Sequence, residues 1–191
     1  MEPAKLLEIL SVAEKLKCNT RHSYTSSGRL ESVAEHSWRL ALMALLLRDE
    51  FPGTDMDRVI RMCLIHDLGE AFTGDIPAFE KRECDGRREE ELLEEWVGGF
   101  PSPCGEELLA LLREMDAQET MEARVYKALD NLEAVIQHDE ADISTWLPLE
   151  YDLQLTYGAE RVKVSSYLQR LKAEIDRQTR RKIEAAANRE S

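Results

Sequence analysis

The sequence predicts an all-α fold, a single-domain multi-helix bundle. Apolar residues recur at spacings of three and four in one segment after another. No stretch sustains strand-like alternation between hairpin turns. The breaks between segments are short and rich in Gly and Pro.

Leu6, Leu10 and Ala13 mark the first helix. Ser32-Val33-Ala34-Glu35 has the form of a capping box, and the helix it opens carries Leu40, Met43 and Leu47 on one face. Gly53-Thr54 separates this helix from a third, marked by Val59, Met62 and Cys63 and ended by Gly74-Asp75-Ile76-Pro77. The charged run from Glu89 to Glu95 reads as a solvated helix face, with Leu92, Leu93 and Trp96 turned inward. Gly98-Gly99-Phe100-Pro101-Ser102-Pro103 is a turn between two shorter helices. Val125, Leu129, Leu132 and Ile136 then define a long helix, and Val164, Leu168, Leu171 and Ile175 the last stripe. No break is long enough to be a domain linker. One domain is expected over 1–178, with 179–191 a polar helix end or tail.

A chain of 191 residues, 43% hydrophobic and 33% charged, is long and apolar enough to bury a core and is not of disordered composition. A net charge of −13 repels phosphate backbones and anionic lipid, so nucleic-acid polymers and membranes are not expected partners. A small anionic substrate remains compatible, because a local cation overrides the global sign. Cys18, Cys63, Cys84 and Cys104 include no C-x-x-C pair, which argues against a zinc ribbon or redox motif. Dispersed thiols, with no apolar signal core or bilayer-length run, make the cytoplasm the expected location.

Four residues carry the chemistry. His36 falls in the first turn of its helix and shares a face with Leu40, Met43 and Leu47. His66 follows Met62 by four residues and Asp67 follows Cys63 by four, so both lie on or beside a core face. Asp130 borders the stripe of Leu129 and Leu132. One inward histidine is ordinarily a hydrogen-bonded core residue. Two histidines with two carboxylates at core boundaries point instead to a metal, since a buried unpaired carboxylate is strongly disfavoured. The mixed nitrogen and oxygen set suits one divalent transition metal, Co, Mn, Zn, Fe or Ni, with Mg also admitted. Such an ion, at coordination five or six, has positions left for water and a phosphoryl oxygen.

Four stretches extend this reading: R-H-S-Y at 21–24, E-S-V-A-E-H-S-W at 31–38, H-D-L-G-E-A-F-T-G-D-I-P at 66–77 and K-A-L-D-N-L-E-A at 127–134. Together they resemble the HD-domain metal-dependent phosphohydrolases, and within them the 5′-deoxynucleotidase branch of YfbR-like proteins and eukaryotic HD-domain-containing relatives. The resemblance implies His36, His66, Asp67 and Asp130 as metal ligands. It implies Asp67 and Glu70 as catalytic groups, with Glu70 handling the proton of the attacking water or of the leaving group. Arg21 would contact the phosphate, although its position alone reads as solvent-facing. Asp75 would contact the sugar hydroxyl. His22 stands where bacterial members carry a tryptophan that helps reject ribonucleotides, so a preference for deoxyribose does not carry over with it. The resemblance also implies a homodimer. A second metal is not expected, since no further histidine pair exists, and the Glu-Asp pair of the (p)ppGpp hydrolases is absent because Glu70 is followed by Ala71. Of two readings for His138, lining a site or capping its helix end, the cap is the one favoured.

The expected activity is hydrolysis of nucleoside 5′-monophosphates, deoxyribonucleosides foremost, to nucleoside and phosphate. The alternatives are an HD-type phosphohydrolase for another small phosphate ester and a non-catalytic, metal-stabilised helical binding module.

Overall fold

A computed structural model describes residues 1–190, with side chains described to residue 188. The last residue of the expected tail, Ser191, lies outside the described residues. Helix α1 (Pro3–Ala13) leads through a 3₁₀ turn into an antiparallel hairpin, β1 (Thr20–Tyr24) and β2 (Leu30–Ser32). Then follow α2 (Val33–Leu46), α3 (Met56–Ile65), the short α4 (Glu70–Thr73), α5 (Glu83–Gly98) and α6 (Cys104–Ala117). The chain continues through α7 (Met121–Glu140) and α8 (Glu150–Thr156) to α9 (Ser166–Glu190).

Local signals set the helix starts. Ser32 caps α2 in a complete box: its Oγ accepts from Glu35 N, and Ser32 N donates to Glu35 Oε2 at 2.9 Å. Asp55 and Thr120 cap α3 and α7 in the same manner with one side-chain acceptor each. Helix α7 is the centre of the bundle and packs against α2, α3, α6, α9 and β1. Its Val125, Leu129 and Leu132 are fully enclosed together with Leu40, Val59, Met62 and Leu168. A smaller apolar cluster of Leu16, Val33 and Ala71 lies at the base of the hairpin and α4.

The structure departs from the sequence reading in three places. The stretch around Arg21 is a strand, paired Thr20 to Ser32 and Tyr24 to Leu30. These strands of five and three residues with an irregular register are too short to show alternation. The third helix ends at Ile65 rather than at Gly74. Residues 66–69 instead form tight turns, with Leu68 N donating to Ile65 O and Glu70 N to Asp67 O. Helix α1 also leaves Leu6, Leu7 and Leu10 exposed, so its periodic stripe does not enter the core.

One glycine governs how α5 meets the His66–Glu70 turn. A Cβ built on Gly69 would stand 2.6 Å from Glu89 Cγ and 3.2 Å from Glu89 O. Rings lock the neighbouring contact, with Phe72 5.6 Å from Trp96 and Trp96 4.7 Å from Phe100. Gly69→Ala is therefore expected to push α5 off the turn and lower stability by about 1–3 kcal/mol, the usual cost of overpacking. Chemical denaturation of the two proteins side by side measures it.

Candidate metal centre

Two helices and a turn bring four candidate ligand atoms near one another. His36 comes from the first turn of α2, His66 and Asp67 from the tight turns that follow α3, and Asp130 from the middle of α7. His36 Nε2 lies 3.2 Å from His66 Nε2 and 3.1 Å from Asp130 Oδ1. His66 Nε2 lies 3.0 Å from Asp67 Oδ2 and 3.5 Å from Asp130 Oδ1. Ligands about 2.1 Å from a shared ion stand about 3.0–3.4 Å apart at octahedral or tetrahedral angles. The separations of 3.0–3.2 Å fall within that pattern, whereas 3.5 Å and the 3.9 Å between His36 Nε2 and Asp67 Oδ2 are longer. His36, His66 and Asp67 form a compact group able to hold a metal, and Asp130 meets it through the two histidines.

An outer layer of hydrogen bonds aims the ligands. His36 Nδ1 donates to Glu133 Oε2, and His66 Nδ1 donates to the Cys63 carbonyl at 2.9 Å. With each Nδ1–H committed outward, each neutral imidazole turns its Nε2 lone pair to the common point. Lys127 Nζ donates to Asp130 Oδ2 at 2.7 Å, which leaves Oδ1 for the centre. Arg39 holds the other oxygen of Glu133.

A divalent cation fits these residues. Asp67 Oδ2 is buried and makes no hydrogen bond despite its closeness to His66, as expected of atoms that face a shared ligand rather than each other. The hard carboxylates and borderline imidazoles admit Mn, Fe, Co, Ni or Zn. Burial disfavours a charged His66, yet Asp67 and Asp130 raise its pKa to about 10. Burial, then Asp67, Asp75 and Glu89, raise Glu70 to about 9. Burial works against charge on Asp67, Asp130 and Glu133, yet the neighbouring His66, Lys127 and His36, with Arg39 and Arg21, hold all three below the usual carboxylate range.

The remaining predicted residues surround this centre. Arg21, on β1, is mostly enclosed. Its Nε lies 3.3 Å from Glu31 Oε2 and its Nη1 3.6 Å from Asp67 Oδ2. Burial works against the guanidinium charge, but Asp67, Glu31 and Asp75 hold it firmly protonated. It is therefore enclosed beside the cluster and not the solvent-facing residue its sequence position suggests. Glu70 sits in the first turn of α4, not at the end of α3. It is buried, with Oε2 unpartnered. Arg21, His22 and Asp75 line one wall of a cleft that opens beside the centre, with Phe79, Val135 and Tyr157 among its apolar walls. His138 is no helix cap. Its ring is buried in the wall of the same cleft, and Nε2 meets Glu150 Oε1 at 3.1 Å.

Residues 13–172 match the HD domain family. The chain belongs to this family. The HD domain here is 35% identical over 139 residues to the 5′-deoxynucleotidase HDDC2 of Bos taurus, an alignment that covers 71% of this chain and 67% of that protein. It is 27% identical over 171 residues to the 5′-deoxynucleotidase HDDC2 of Dictyostelium discoideum, covering 84% and 85%. A crystal structure described as a predicted metal-dependent phosphohydrolase from Magnetospirillum magnetotacticum superposes with a TM-score of 0.79 at 30% identity, covering 94% of this chain and 93% of that one.

Within this HD domain, sequence reasoning missed the outer layer. Glu133 and Glu31 are almost wholly enclosed. Glu133 follows Leu129 by four and Asp130 by three, so its phase on α7 was a readable sign of burial. Glu31 falls in a three-residue strand, where spacing offers no such sign. Glu133→Gln keeps the shape but weakens its hold on His36 and Arg39. It is expected to weaken divalent-metal binding by about 10–100-fold, measured by competition with a chromogenic chelator.

Proposed function

We propose that this HD domain is a metal-dependent phosphomonoesterase that hydrolyses nucleoside 5′-monophosphates, deoxyribonucleotides among them, to nucleoside and phosphate. The observation that carries this reading is the cluster of His36, His66, Asp67 and Asp130 against buried Arg21, which in turn lines a cleft with apolar walls. The names of the similar proteins support the substrate class. One divalent transition metal, held by His36, His66, Asp67 and Asp130, would polarise the phosphoryl group and acidify a water.

The chain's own residues then divide the work. Arg21 binds the phosphoryl oxygens and offsets their charge as the group becomes planar. Asp67 orients the attacking water. The water oxygen forms the new bond to phosphorus while the bond from phosphorus to the 5′ oxygen breaks, and the water's surplus proton passes through a phosphoryl oxygen to restore Glu70 after it has given up its own. Glu70, kept protonated by burial and its acidic neighbours, gives its proton to that leaving oxygen. Asp75 and His22 face the nucleoside, with Asp75 accepting from a sugar hydroxyl.

The catalytic unit is taken as residues 1–178, and its place as the cytoplasm. Among the described residues, no helix is long and apolar enough to cross a membrane. The uncovered Leu7 and Leu10 of α1 and Trp38 and Leu46 of α2 support a homodimer.

Metal-stripped protein reloaded in turn with Mn, Co, Ni, Zn and Mg is expected to release phosphate from deoxyribo- and ribonucleoside 5′-monophosphates with at least one ion. Silence across the whole panel would overturn the reading. Glu70→Gln is expected to lower kcat by about 10²–10⁴-fold, the usual contribution of one acid–base group. Metal content, read by mass spectrometry, should stay at the wild-type level.

A further inference from the structure

The hairpin sets a buried carboxylate beside the arginine of the cleft. Strand β1 pairs with β2 at Thr20 and Ser32, and Arg21 and Glu31 each stand one residue further along their strands. Facing residues of paired strands have Cβ atoms about 4.5–5.5 Å apart, a separation that two long side chains readily close. Arg21 Nε lies 3.3 Å from Glu31 Oε2. Both atoms are shut off from solvent, and neither has a hydrogen-bond partner among the described residues. Each therefore meets the other chiefly as a charge.

The other end of the guanidinium, Nη1, lies 3.6 Å from Asp67 Oδ2. Arg21 is thus held between two carboxylates, one inside the proposed ligand set and one outside it. It also lines the cleft. Glu31 is 2% exposed, and its carboxylate comes within 4.8 Å of ligand atoms of His36 and Glu133. Glu133 is already paired with His36 and Arg39. A second buried carboxylate beside it destabilises the fold unless a cation compensates it, and Arg21 is the cation that Glu31 meets. Arginine has several rotatable bonds, and its fork grips a phosphate in two places only when its plane is correctly turned. Without Glu31, the guanidinium would have Asp67 as its remaining carboxylate and would close on an oxygen that the centre needs.

We propose that Glu31 is a positioning residue, which turns the Arg21 guanidinium toward the phosphoryl group and keeps it from closing on Asp67. This rests on the reading of Arg21 as the phosphate-binding residue. Two effects of Glu31 oppose each other. Its charge repels an incoming anion, while its hold on Nε presents the rest of the fork to that anion. The hold acts at contact, and the repulsion acts across the width of the guanidinium, so the hold wins. A simple counter-charge would give the opposite sign, because its removal would strengthen anion binding.

Calorimetry of inorganic phosphate on the full chain, loaded with its most active metal, reads that sign. Glu31→Leu keeps the bulk and removes the acceptor. It is expected to weaken phosphate binding by about tenfold, the usual effect of losing one charge-assisted contact. Unchanged or tighter binding would overturn the proposal. Glu31→Gln, neutral and of the same shape, takes its place if Glu31→Leu does not fold, with the same direction expected. Nitrogen-15 NMR separates positioning from a general structural role. The Arg21 Nε–H resonance, assigned by its absence in Arg21→Lys, should exchange slowly with water in the wild type and rapidly in the Glu31 variant, with backbone amide protection retained. Slow exchange that survives the substitution means that another group holds Arg21, and it sinks the proposal. Phosphate binding that depends on Glu31, without hydrolysis of any nucleotide, sinks the phosphatase reading and leaves this inference standing. Hydrolysis with phosphate binding indifferent to Glu31 sinks this inference alone. Neither binding nor hydrolysis sinks both.

Discussion

The fold is organised around one electrostatic problem: six carboxyl groups in and around a core. Asp67, Asp130, Glu70, Glu31, Glu133 and Asp75 all approach the point where α2, α3 and α7 meet. Such a cluster is tolerable only where charge and hydrogen bonds compensate each member. Lys127 compensates Asp130, Arg39 and His36 compensate Glu133, and Arg21 stands between Glu31 and Asp67. What these partners leave uncompensated is concentrated on the atoms that face the centre, which is where a divalent cation belongs.

The bundle is the means of holding this arrangement still. Helix α7 is enclosed on nearly every side, so Asp130 and Glu133 project from the most rigid element of the molecule. The capping box of α2 fixes where its first turn begins and hence where His36 points. The tight turns after α3 place His66 and Asp67 beside each other and still return Glu70 to the same cavity. Gly69 makes that return compatible with α5, whose Glu89 backbone and side chain come too close for any larger residue. Precision at the metal centre therefore depends on contacts that contain no ligand.

Compensation is graded along the cleft. Next to the centre the cation is a buried guanidinium, suited to a phosphoryl group. Farther along, the polar groups are two imidazoles on one acceptor carboxylate, set among Phe79, Val135 and Tyr157. The guanidinium explains how a protein of net charge −13 can receive an anion, since the field at the phosphate end is set by nearby groups and not by the whole surface.

Helical period alone determined the all-α class and the inward phase of His36, His66 and Asp130, because side-chain direction on a helix follows from position. The Ser32 box likewise fixed the start of α2 from four residues. The hairpin, the end of α3 at Ile65 and the burial of Arg21 were decided by tertiary structure, because short strands and tight turns carry too few residues for a period. Glu133 was half legible through its phase on α7. Glu150 was not legible at all, since its partners His22 and His138 are distant in sequence and meet it only across the cleft. Spacing reports which face a residue occupies. Which residues from different elements share a charge, a proton or a ligand is set only when those faces pack.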